Sequence, residues 1–69
     1  MSSRSVNMPW NGRVVQVADG PLIDGERRLE VVATSLNQGS LRFYLSTDAH
    51  PCVGDPVEAT ISITYQEHT

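Results

Sequence analysis

From Pro56 to Tyr65 the chain alternates between apolar and polar residues almost without fault. Val57, Ala59, Ile61, Ile63 and Tyr65 fall on one side of an extended backbone, and Glu58, Thr60, Ser62 and Thr64 on the other. Successive side chains of a strand point to opposite faces. A period of two in residues this rich in β-branched types therefore specifies a strand with one wet and one buried face.

Earlier segments repeat the pattern with turn signals between them. Trp10 to Ala18 reads as a first strand, with Val15 and Val17 on one face and Val14, Gln16 and Ala18 on the other. Asn11-Gly12 reads as a turn or bulge near its start. Asp19-Gly20-Pro21 and Asp24-Gly25 bracket Leu22-Ile23 in a loop. Glu26 to Thr34 forms a second strand, placing Arg27, Leu29, Val31 and Ala33 opposite Arg28, Glu30, Val32 and Thr34. Asn37-Gln38-Gly39 closes a hairpin onto a third strand, Ser40 to Thr47, where Leu41, Phe43 and Leu45 alternate with Arg42, Tyr44 and Ser46. The connection from Asp48 to Pro56 holds two prolines and a glycine, which leaves no room for a useful helix.

The expected fold is therefore all-β: a small antiparallel meander of four to five strands, curled into an SH3-like or OB-like barrel, with no significant helix. Closure would bury Val15, Val17, Leu29, Val31, Phe43, Leu45, Val57, Ile61 and Ile63 together, and would remove exposed edges that template aggregation. Residues 1–8, polar and small, read as a flexible N-terminal tail, and residues 9–69 as a single small β domain.

Size sharpens the problem. A chain of 69 residues buries only about 60% of its unfolded surface, so its core needs reinforcement. Cys52 is the only cysteine, which rules out an internal disulfide. Cys52, His50 and His68 are too few for a zinc knuckle, so neither metal nor other cofactor is expected. Self-association is the remaining route to a larger core, and a homodimer, or another homo-oligomer, is the expectation. No apolar run reaches the roughly 18 residues of a membrane span. The first nine residues lack the apolar stretch of a signal peptide, and with a lone thiol this points to the cytoplasm and away from membranes.

Four features invite a chemical reading. Asp48, His50, Cys52 and Asp55 crowd one loop, but without a recognisable ligand spacing they read as a surface turn with Cys52 and Val53 tucked against the barrel end. Val53-Gly54-Asp55-Pro56-Val57 reads as a tight turn feeding the last strand, its aspartate bonding the backbone that follows. The polar face of the sheet offers Arg28, Arg42 and Tyr44, with Arg13 near. Arginine and tyrosine on an open face can stack bases and hold phosphates, and can equally be a solvated face with cross-strand ion pairs among Arg28, Glu30 and Arg42. Trp10, the single tryptophan, is either core or an exposed contact residue. A formal net charge of −3 counts against binding driven by phosphate neutralisation.

No nucleophile–base set or phosphate-binding loop is recognisable, so no enzymatic activity and no catalytic residue are expected. The function expected is binding of another protein, as an inhibitor, adaptor or accessory subunit of the kind phages and mobile elements encode. Trp10, Arg13, Arg28, Arg42 and Tyr44 are the candidate binding residues, with Asp19, Asp24, Glu26 and Asp55 as acidic steering charges. Two alternatives remain: an OB-like module for single-stranded nucleic acid or a nucleotide, and a structural subunit of a larger assembly.

Overall fold

A computed structural model describes residues 2–68 and contains four strands: β1 (Ser2–Ile23), β2 (Glu26–Ser35), β3 (Gly39–Ser46) and β4 (Pro56–Glu67). All pairings are antiparallel, there is no helix among the described residues, and the strands form one sheet in the order β3-β2-β1-β4. Three consecutive strands are joined by hairpins, and the fourth returns to lie beside the first. That is a Greek-key order in place of the expected meander. The sheet is also open: its two edges are β3 and β4, and the molecule measures 47 × 32 × 14 Å, one layer thick.

β1 decides this architecture. Its 22 residues would span roughly 70 Å if straight, well beyond the 47 Å long axis of the molecule, so the strand coils as it goes. Its first half, Ser2 to Arg13, pairs with β4, and its second half, Arg13 to Ile23, pairs with β2. The stretch expected to be a tail is thus strand from Ser2 onward, and Met1 lies outside the described residues. The polarity of residues 2–7 arises because much of that segment faces solvent, while its backbone is paired with the alternating β4. The Leu22-Ile23 loop is likewise strand, closed by a two-residue turn at Asp24 and Gly25, both with positive φ (52° and 79°). That conformation matches the twist of a hairpin and favours the Asp-Gly pair found there.

The core differs from the expected one at a single register shift. Val14 pairs with Ala33 and Gln16 with Val32, so Val15 is an extra residue in β1. One inserted residue reverses the parity of everything beyond it. Val14 therefore joins Val17 on the apolar side, and Val15 points out, 48% exposed. Asn11-Gly12 is neither turn nor bulge, since both residues stay in register with Glu58 and Val57. Among the described residues Trp10, Val14, Val31 and Ala33 are fully buried. The loop between β3 and β4 crosses this side of the sheet, and Pro51 faces Val14, Val31, Phe43 and Leu45 across a shallow recess of 300 Å³. Cys52 and Val53, expected to be tucked in, are exposed, while Ala49 and Pro51 are half-buried. No helix is long and apolar enough to cross a membrane.

Candidate functional site

The sheet divides at Arg13 into a three-stranded body, formed by β2, β3 and the second half of β1, and a two-stranded arm, formed by residues 2–12 of β1 and 57–67 of β4. The arm has two chemically distinct sides. On one, three consecutive register pairs are hydrogen-bonded through their side chains: Gln66 Nε2 donates to Ser3 Oγ at 3.0 Å, Ser5 and Thr64 hydroxyls meet at 3.2 Å, and Ser62 Oγ donates to Asn7 Oδ1 at 2.8 Å. On the other, Val6 opposes Ile63 and Met8 opposes Ile61, with Tyr65 beyond them. That apolar side has no element over it. Met8 remains 45% and Tyr65 46% exposed, and Val6 and Ile63 are similarly open. At the tip, Arg4 and Glu67 form an ion pair, so the apolar side ends in a locally neutral pair of charges.

Trp10 and Gln38 join arm to body. The indole is 1% exposed, and its N–H donates to the Gln38 backbone carbonyl at 3.2 Å. The Gln38 carboxamide then acts as a rung of sheet just beyond the end of β2: its Nε2 donates to the Pro9 carbonyl at 2.8 Å, and its Oε1 accepts from the Asn11 N–H at 3.3 Å. Those two groups show which way the β1 backbone points. Odd-numbered residues of the arm open toward the β2 side, and even-numbered ones bond β4. Pro9 thus lacks its N–H on the side where no strand needs one, the position a strand tolerates.

The five candidate binding residues do not form one site. Trp10 is inside the molecule, on the side opposite Tyr44 and Arg42. Arg13 donates to the Gly54 carbonyl at 3.0 Å and braces the crossing loop. Arg42 pairs with Glu30 at 2.8 Å, and Arg28 lies 3.4 Å from Glu26, so both follow the ion-pair reading of this face. Tyr44, opposite Glu30, stays exposed on the polar side. Of the steering charges, Asp24 forms the β1–β2 turn, Asp19 precedes it in β1, and Glu26 is held by Arg28. Asp55 closes its own turn, where its carboxylate accepts from the Cys52 N–H at 2.9 Å and its N–H donates to the Cys52 carbonyl at 3.0 Å. The aspartate therefore bonds the backbone before it, where the sequence reading had the backbone after it. Among the described residues no three His, Cys, Asp or Glu side chains converge as a metal site would require.

Two features went unseen in the sequence: the arm's apolar side and the Gln38 bridge. Val6, Met8 and Trp10 do carry a period of two, but it is short and embedded in serine, asparagine and proline. Compared with family models, curated proteins and solved structures, the chain matches none of them. The functional reading therefore rests on the site alone.

Proposed function

We propose that this chain is a non-catalytic binding module that works by presenting the apolar side of its open sheet to another protein. The observation that carries this reading is the contrast between the two sides of the arm. The polar side satisfies its own hydrogen bonds rung by rung, whereas the apolar side leaves Val6, Met8, Ile63 and Tyr65 facing solvent. A sheet buries its apolar face against a second layer, and only the crossing loop supplies one here. In this reading the expected barrel closure is replaced by a partner's layer laid on the sheet.

An inhibitor, adaptor or accessory subunit acting in the cytoplasm fits such a surface, with the exposed Cys52 thiol kept reduced there. Nucleic-acid binding is disfavoured: the arginines of the polar face are occupied by Glu30 and Glu26, and net charge is −3. Photo-crosslinking from position 63 and from position 44 separates the two. Protein adducts from 63 and none from 44 are expected. Nucleic-acid adducts from 44, with nothing from 63, would overturn the proposal.

A further inference from the structure

The arm raises a question of its own, because two antiparallel strands with no third are marginal in water. Beyond the Gln38 rung, nothing pairs with the β2-side edge of residues 2–8, and β4 is itself a sheet edge. The arm's cover has to come from outside the chain, and its geometry indicates what that cover is.

We propose that the occupant is a second copy of the same chain, its arm laid face to face on the first about a twofold axis between the Ile61 and Ile63 rows. This rests on the binding-surface reading above and names its partner. Three observations favour an identical arm.

The first is shape. Along the apolar side the rungs run from Tyr65 with Arg4 at the tip, through Ile63 with Val6 and Ile61 with Met8, to Ala59 and then Val57 with Gly12 at the base. The β4 side chains fall from tyrosine to alanine over this distance, and Gly12 contributes none. Two such tapers laid antiparallel are complementary, with Tyr65 of one copy over Ala59 of the other and Ile63 over Ile61. A twofold contact must be self-complementary in just this sense.

The second is charge. Arg4 and Glu67 are the charged residues at the tip of this side, and they neutralise one another. The surface therefore offers no net charge for an oppositely charged partner to read, and no like-charge repulsion when it meets itself. The third is size. A stable interface needs about 800 Å² from each partner, which is about half of a face measuring 47 by 32 Å. The arm and its base occupy a comparable share. Two single layers stacked at roughly 10 Å make an ordinary sandwich.

The test is sedimentation equilibrium on the full chain, with Trp10 emission recorded in parallel to report folding. The wild type is expected at twice the chain mass of 7.6 kDa. Ile63→Glu, which would bury a carboxylate in the contact, is expected to weaken association by about a hundredfold or more while leaving the emission native. Oxidation of Ile61→Cys in a Cys52→Ser background does not depend on a disruptive substitution; it should give disulfide-linked dimers, and Ser62→Cys on the opposite side should not. A wild type that stays monomeric at high concentration, yet still crosslinks other proteins from position 63, would overturn the second copy and leave the binding surface standing. A dimer indifferent to Ile63→Glu and linked from position 62 would overturn both.

Discussion

The indole of Trp10 lies over Gly12, two residues along the same side of β1, so a Cβ on residue 12 would come within 2.5 Å of the ring. The Thr34 carbonyl crowds the same point from β2. Trp10, Gly12 and Thr34 thus form the joint where the arm leaves the body, and the missing side chain of Gly12 is what lets a tryptophan fold flat there.

Gly12→Ala is expected to destabilise the fold by about 1–3 kcal/mol, because both obstructing groups are held in place and cannot yield cheaply. Urea unfolding followed by tryptophan fluorescence measures this. An unchanged midpoint would mean that the indole does not occupy the Gly12 gap.

Trp10→Phe keeps an aromatic ring at the joint but leaves the Gln38 carbonyl without its donor and a void beside it. The expected loss is about 1–3 kcal/mol. Trp10→Ala would cost about 3–5 kcal/mol, enough to unfold a domain this small. Thermal unfolding by circular dichroism reads both. As the only tryptophan and 1% exposed, Trp10 should also emit at short wavelength when native and shift red in urea.

Gln38→Glu is nearly isosteric, yet it replaces the donor facing the Pro9 carbonyl with a charged acceptor. A loss of about 1–2 kcal/mol is expected, larger than for Gln38→Met, which removes the hydrogen bonds without adding a charge. Equal effects of the two changes would show that the carboxamide does not bridge Pro9 and Asn11.

Arg42→Ala removes an ion pair whose arginine side chain is 65% exposed. Such pairs contribute about 0–1 kcal/mol, so the unfolding midpoint should barely move. Tyr44→Ala, on the same polar face, should leave solution mass unchanged, since neither residue lies on the apolar side.

These expectations also mark what could be read from residues alone. The starts of β2 and β4 and the hairpin at Asn37-Gln38-Gly39 follow from alternation and turn chemistry, because each segment keeps one parity throughout. β1 does not keep one parity. The extra residue at Val15 reverses its faces midway, so assigning Val15 and Val17 to one face put the wrong valine in the core. The arm was hidden for a related reason: residues 2–9 contribute a wet face of Ser3, Ser5 and Asn7, and their apolar counterparts make sense only against Ile61 and Ile63, more than fifty residues away. Gln38 was read as a turn residue, and nothing local shows that its side chain reaches across to Pro9 and Asn11. The candidate binding residues were chosen by type, and type alone does not separate a buried tryptophan or a paired arginine from a free one.

The central claim is that the arm is incomplete until another layer covers its apolar side. Amide hydrogen exchange as a function of protein concentration tests it most directly. The account predicts that Val6, Met8, Ile61 and Ile63 exchange rapidly in dilute solution and gain protection as concentration rises, while β2 stays protected throughout. Arm amides as strongly protected as β2 at the lowest concentration would contradict it.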